Sequence, residues 1–560
     1  MNWVTKQIKC ISILFLILGF STVVFSQIAP EKYWIQFADK ANSPYSVDTP
    51  LVYLSQRAMD RRIAQGIAVT MQDLPVNPSY VSGVEQAASL VVINRSKWLN
   101  GVIIQTTDTV GLAAVLSLPF VDSVNSYSIE NPNIPGPTSK KLEVKEMPNS
   151  RKKESAFSTT SIDYGLATVQ NRMLDIPYVH DLGFTGNGMV IAILDAGFKG
   201  ADTTEVLLPI FNNGQILGTW DFVLNQPIDY TNFSSHGKFV LNCMGANEPG
   251  RYVGTAPDAS YWLLRTEDAP TENIIEEYNW VIGAEFADSA GADVFNTSLG
   301  YTTFDDSTYD HTYADLDGNT TVITRGADIA ASKGILVVNS AGNSGGGSWH
   351  YIGAPADGDS VLAIGAVYDN RVVTGFSSRG PSADGRVKPN VMAMGGGVPM
   401  PIGLDSAISI SGTSFSGPIL AGAAACLWQS RTSYSNMEVY HAIEASAHLA
   451  TNPNDDYGYG IPNMGMAYYL ITGVEDLRTE GLNIKAYPNP TSGFVYIPMI
   501  SNSVESIVVF DFLGRAVLSN SNPAVVDNSF QIDLSAHPKG IYFVHARTHE
   551  GAQIIRVVKE

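Results

Sequence analysis

Apolar and polar positions along the chain fall into successive regimes. At the start, Lys6 and Lys9 precede the apolar run ISILFLILGFSTVVF and the small residue Ser26. That order predicts a signal peptide over residues 1–26, cleaved before Gln27, with an uncleaved anchor as the alternative. Residues 27–155 then alternate short patterns. YWIQF reads as a strand, LSQRAMDRRIAQGI as an amphipathic helix and WLNGVIIQT as a strand, followed by TVGLAAVLSL as a helix and FVDSVNSY as a strand. Together they predict a small α+β unit. It ends in NPNIPGPTSKKLEVKEMPNSRKKES, which has no periodic apolar face and reads as an exposed, cleavable linker.

From residue 156 to 472 the pattern changes to continuous apolar strands separated by helices: MVIAILD, ASYWLLRT, ADVFNTSLG, GILVVNSAG and SVLAIGAV. Strands without alternation are covered on both faces, so an α/β domain with a buried parallel sheet and flanking helices is expected. After a connection at 473–482, residues 483–560 alternate apolar and polar positions in NIKAYPNPTSGFVYI, ESIVVFDFLGRAV, SFQIDLS and GIYFVHARTHEGAQIIRVVKE. A small β-sandwich fits that alternation.

Composition narrows the function. A chain of 560 residues is too long for one ordinary domain, and its 45% hydrophobic content supports a substantial core. The net charge of -20 and pI near 4.8 argue against a polyanion partner such as nucleic acid. After the signal, no segment is long and apolar enough to span a bilayer. Cys243 and Cys426, the cysteines of the mature chain, lie in apolar helical contexts and read as buried core thiols rather than a bridge.

Four short stretches carry possible chemistry. Asp195 ends the strand of MVIAILDAGF, where α/β sheets place ligands, although an Asp there can equally close a loop. His236, in SSHGKFV, opens an apolar helix; taken alone it reads better as a structural histidine. Asn343, in VVNSAGNSGGG, offers an uncharged carboxamide donor among glycines. In GTSFSGPILAGAAACLW, Ser414 opens a helix of small apolar residues, a place that suits an anion or simply a helix cap. Pro418 requires the helix to begin close to Ser414 if the proline is to fall in its first turn. In combination the four supply an orienting carboxylate, a base, an oxyanion donor and a nucleophile. Their order excludes the α/β-hydrolase scheme, which runs nucleophile, acid, histidine around G-x-S-x-G.

The pieces VIAILDAGF, SSHGKFV, NTSLG, NSAGNSG, SGTSFSGP and YGYGIPN resemble those of the subtilases, the subtilisin-like serine peptidases. The resemblance implies Asp195, His236 and Ser414 as a triad and Asn343 in the oxyanion hole, with the stretch Ser298-Leu299-Gly300 pairing with substrate backbone. Protein or peptide substrates are implied, no cofactor is required for the chemistry, and structural calcium is possible. Three departures stand out: Ala196 after the aspartate, Lys238 after His-Gly, and Phe415-Ser416 after the nucleophile. Residues 27–155 resemble a subtilase propeptide, which in that family assists folding and inhibits until removed. AYPNPTSG and KGIYFV resemble the sorting domain of type IX secretion cargo in Bacteroidota, which implies that machinery as a partner and export across the outer membrane. A rival from another class is a catalytically silent surface binding or adhesion protein on the same fold. A last signal, TYADLDGNTT, offers Asp315, Asp317 and Asn319 as calcium oxygens, with a polar surface turn as the plainer reading.

Overall fold

The computed structural model describes residues 31–126, 143–146, 162–403, 406–476, 486–498, 504–511, 516–520, 525–526, 529–548 and 551–560. The expected signal peptide lies outside them, as does most of the stretch read as a linker after residue 126.

The N-terminal unit is a four-stranded antiparallel sheet in the order β2-β3-β1-β4, built from β1 (Glu31–Phe37), β2 (Val91–Ser96), β3 (Gly101–Thr106) and β4 (Val121–Ser126). It carries α1 (Gln56–Ala64), α2 (Pro78–Ala87) and α3 (Thr109–Leu116). WLNGVIIQT is not one strand: Trp98 to Asn100 belong to the turn that joins β2 to β3, with Asn100 at φ 55°. The strand VVINRS and helix α2 escape a reading by pattern. Inside the stretch read as a linker, Glu143–Glu146 forms β5 and pairs with a strand of the next domain.

Beyond it come α4 (Thr168–Met173), α5 (Ile176–Asp181), β6 (Val190–Asp195), α6 (Leu208–Asn212), β7 (Ile216–Asp221) and α7 (His236–Gly245). The short pair β8 (Asn247–Glu248) and β9 (Tyr252–Val253) precedes β10 (Ser260–Arg265), α8 (Ile275–Ala290), β11 (Val294–Thr297), α9 (Val322–Ser332), β12 (Leu336–Ser340), β13 (Val361–Val367) and β14 (Val391–Met394). The hairpin β15 (Val398–Gly403) and β16 (Ser406–Ser411) leads into α10 (Thr413–Gln429), then α11 (Asn436–Ala445) and α12 (Met464–Asp476). Helix α12 thus runs past the boundary expected at 472.

Seven strands form one parallel sheet in the order β14-β13-β12-β11-β6-β10-β7. Its apolar runs are explained by two covered faces. Ile191, Ile193, Val338 and Ile364 pack with α7 and α10 on one side, while Ala192, Leu194, Val337 and Ala363 pack with α8 and α9 on the other. Thr413 to Trp428 are all buried, as expected of a central helix apolar all round. Strand order reverses between β6 and β11, so the crevice for a ligand opens beyond their carboxyl ends.

The N-terminal unit sits on the α8 face. Trp34, Trp98 and Ile103 join that core, and the Trp34 and Tyr278 rings lie 4.7 Å apart. Charges are buried with them. Asp288, near the carboxyl end of α8, receives Arg61 at 2.6 Å, Arg62 at 2.8 Å and Lys97 at 3.1 Å, while Asp73 pairs with Arg62 at 3.1 Å and Lys333 at 3.3 Å. Glu285 accepts from the Ser96 hydroxyl and from the backbone N–H groups of Lys97 (2.7 Å) and Trp98 (2.9 Å).

At the other end, β17 (Phe494–Pro498), β20 (Val525–Val526) and β21 (Ser529–Asp533) form one antiparallel sheet. β18 (Val504–Asp511), β19 (Ala516–Asn520), β22 (Gly540–Thr548) and β23 (Gly551–Lys559) form the other. Val495, Ile497 and Ile532 of the first share a core with Val509, Val544 and Val557 of the second.

Candidate active site

Asp195 ends β6 and is wholly buried. Its Oδ1 accepts from the Ala196 N–H at 2.8 Å, and His236 Nδ1 lies 2.8 Å from Oδ1 and 3.0 Å from Oδ2. A carboxylate accepts, so Nδ1 carries the proton and Nε2 is the basic nitrogen. Backbone packing sets this pair. The Gly237 N–H donates to Gly197 O at 2.9 Å, and a Cβ on Gly237 would stand 2.7 Å from that oxygen. Glycine after the histidine therefore lets the start of α7 dock on the loop that follows Asp195. On its other side the imidazole meets Phe415, with ring centroids 5.9 Å apart.

Ser414 is the second residue of α10, close to where the sequence places a helix start, but Pro418 lies in the second turn rather than the first. The physical reason is visible in the hydrogen bonds. A residue at 418 would normally donate to the carbonyl of 414; proline cannot, and the Ser298 hydroxyl donates to Ser414 O instead, at 3.0 Å. Asn296 Nδ2 donates in turn to Ser298 Oγ at 3.3 Å. Ser416, one of the departures, donates its hydroxyl to Thr413 O at 3.0 Å. The Ser414 hydroxyl itself lies 3.4 Å from Ser298 O.

Asn343 is fixed through its oxygen: Oδ1 accepts from the Thr413 N–H at 2.8 Å and the Thr413 hydroxyl at 3.0 Å. Its Nδ2 is left to face Gly412. A Cβ on Gly412 would stand 3.7 Å from Asn343 Nδ2 and 3.7 Å from the Ser414 nitrogen. The space that glycine leaves open is thus bordered by two N–H donors at a helix N-terminus, the arrangement an oxyanion needs. Gly412, at φ 156° and ψ 151°, holds a conformation close to glycine's own territory.

Strand β11 ends at Thr297, so Ser298-Leu299-Gly300 continues past the sheet rather than within it. Leu299 O accepts from Asn339 Nδ2 at 3.3 Å, and among the described residues Gly300 has no backbone partner. Of the other departures, Ala196 keeps both backbone groups engaged, its oxygen accepting from Arg265 Nε at 3.3 Å. Lys238 is half-buried, with its ammonium 4.7 Å from the Phe239 ring centre, and burial lowers its pKa. Sequence reasoning missed Thr413, Asn296 and Arg265, whose roles depend on partners far along the chain.

Asp315 and Asp317 do not converge on a cation. Asp315 accepts from the Thr312 N–H and hydroxyl, both at 2.7 Å, and Asp317 from the N–H groups of Asn319 (2.8 Å) and Thr320 (2.9 Å). Among the described residues no group of three or more acidic, His or Cys side chains could hold a metal ion. Cys243 and Cys426 are buried free thiols.

Comparison with known proteins returns three family matches along the chain. Residues 32–145 match the peptidase S8 propeptide domain of Bacteroidota, residues 186–460 the subtilase family, and residues 485–560 a secretion system C-terminal sorting domain. Subtilisin E of Bacillus subtilis is 30% identical over 310 residues, which cover 55% of this chain and 71% of that protein. Subtilisin DY of Bacillus licheniformis is 30% identical over 281 residues, covering 50% and 89%. The alkaline protease of Alkalihalobacillus alcalophilus is 29% identical over 314 residues, covering 55% and 71%.

Proposed function

The chain belongs to the subtilase family of serine-type endopeptidases, and we propose that it hydrolyses peptide bonds through an acyl-enzyme on Ser414. His236 Nε2 takes the Ser414 proton as Oγ attacks the scissile carbonyl. Asp195 holds the imidazole by Nδ1 and stabilises the imidazolium. The oxyanion forms in the space beside Gly412, between Asn343 Nδ2 and the Ser414 N–H. Collapse expels the amine, which leaves with the proton from Nε2, and water repeats the sequence to free the acid. Peptide backbone lies along Ser298-Leu299-Gly300, where the Gly300 groups await a partner. The observation that carries this reading is the doubly bonded Asp195–His236 pair beside a helix N-terminus that presents two donors.

The C-terminal sorting domain marks the chain for export by type IX secretion, to the medium or the cell surface. The proposed organisation is signal peptide 1–26, propeptide and linker 27–155, peptidase 156–472, linker 473–482 and sorting domain 483–560. In this scheme the unit covering α8 is what processing removes. Among the described residues no helix is long and apolar enough to cross a membrane.

Pre-steady-state hydrolysis of an activated peptide ester tests the acyl-enzyme. A burst of one product per active site, absent from Ser414→Ala, is expected. A linear onset with the same rate in both proteins would rule it out.

A further inference from the structure

A buried cation lies between the loops that carry Asp195 and His236. Arg265 is the last residue of β10, in register with Asp195 on one neighbouring strand and Asp221 on the other, and is 1% exposed. Each of its three guanidinium nitrogens donates. Nη1 donates to Asp221 Oδ2 at 2.8 Å, Nη2 donates to Asp268, and Nε donates to Ala196 O at 3.3 Å. Its flat face lies 3.9 Å from the centre of the Phe233 ring, a cation–π contact.

Those last two contacts reach different loops. Ala196 follows Asp195 and donates its own N–H to the Asp195 carboxylate. Phe233, at φ 65°, belongs to the turn that leads through Ser234 into His236, and Ser234 Oγ accepts from the His236 N–H at 3.1 Å. Asp221 is itself held, its Oδ1 accepting from the N–H groups of Val223 and Leu224 at 2.9 and 3.0 Å. One rigid cation therefore spans the loop after the carboxylate and the loop before the histidine, braced from behind by two carboxylates.

We infer that Arg265 is a positioning residue for the reaction, fixing the distance and angle between Asp195 and His236 without touching substrate. The inference rests on the triad reading above. Alanine at 196 fits the arrangement, since its side chain supplies no hydrogen bond and its backbone oxygen is tied down by Arg265 instead. Lysine would not replace arginine, because one ammonium cannot reach Ala196 O, Asp221 and Asp268 while stacking on a ring.

The test uses the full chain after processing, as wild type, Arg265→Gln, Arg265→Lys and Phe233→Leu, with active sites titrated and kcat and KM measured separately on a peptide p-nitroanilide. Misplacing a catalytic pair by about an ångström costs about 10²-fold. Arg265→Gln should lose about that factor in kcat per active site with KM unchanged. Arg265→Lys should recover folded yield, since its charge meets Asp221, but not kcat, and in this charge-keeping variant the acid limb of kcat/KM should move to lower pH because a loosened carboxylate stabilises the imidazolium less. Phe233→Leu, on the exposed side of the contact, should lose a smaller factor in the same direction. Full kcat per site in Arg265→Gln or Arg265→Lys, an unmoved acid limb in Arg265→Lys, or a loss confined to KM would overturn the inference. Ser414→Ala, run beside them, separates the two readings: activity surviving there sinks the triad, whereas activity lost there and retained in the Arg265 variants sinks only the positioning role.

Discussion

Asp288 pairs with three cations of the propeptide domain. Its carboxylate is fully buried and meets Arg61, Arg62 and Lys97 from the N-terminal unit. Burial alone would raise its pKa, but Lys97, Arg61 and Arg62 together lower it. Its place near the carboxyl end of α8 is unfavourable for an anion, so the attraction comes from those cations rather than the helix. In Asp288→Asn the docked complex would bury cations without their counter-charge, whereas the separated domains would leave them in water. Removing one member of a buried pair costs about 3–5 kcal/mol. Arg62 keeps Asp73, Arg61 keeps the Lys333 carbonyl at 3.2 Å and Lys97 keeps Ser289 Oγ at 2.8 Å, which argues for the lower figure. At 1.4 kcal/mol per decade, about 3 kcal/mol weakens docking about 10²-fold. In the proposed scheme, where the cleaved propeptide stays associated and inhibits, activity recovered on serial dilution reads this directly. Asp60→Asn, on the exposed side of α1, serves as the control and should change nothing. A shift of less than about threefold in Asp288→Asn, under 1 kcal/mol, would refute the reasoning.

Docking should also depend on pH. Burial pushes Glu285 up from 4.5 to about 7, against the opposing effects of Lys97, Ser96 and the backbone N–H groups. A carboxyl raised in the docked state favours docking below its undocked value and loses that contribution as pH rises through about 7. The dilution assay should therefore release activity more readily at alkaline pH, and Glu285→Gln should flatten the dependence; a wild-type response that runs the other way would contradict this. Asn343→Ala should lower kcat about 10²–10³-fold with little change in KM, a magnitude carried over from the oxyanion asparagine of a subtilisin, a relative of this chain. Burial raises the thiol pKa values of Cys243 and Cys426 far above the ordinary range. Iodoacetamide should leave the native chain unlabelled and reductant should leave its melting temperature unchanged, and rapid modification of either cysteine would contradict their placement.

Much of the peptidase domain was legible because its signals are local. A run such as VIAILD, ending at Asp195, needs no partner to read as a strand covered on both faces, and the glycines at 237 and 412 sit beside the residues they serve. What escaped depends on distant partners. Asn94, Arg61, Arg62, Asp73 and Lys97 look like surface residues until α8 covers them, and Asn94 donates to Phe222 O, 128 positions away. Pro418 taken alone demands a first-turn position, since the pattern gives no hint that Ser298 satisfies the carbonyl it orphans. Arg265 closes an ordinary apolar strand, and only the register with Asp195 and the fold of the Phe233 turn give it two loops to hold.

The central claim is that Ser414 is an activated nucleophile. Fluorophosphonate labelling of the secreted, processed chain beside Ser414→Ala, read by intact mass, tests it most directly. A single adduct on wild type that disappears in the variant is the predicted result. A folded, propeptide-free wild type that takes up no adduct would contradict the account and favour a silent binding protein on the same fold.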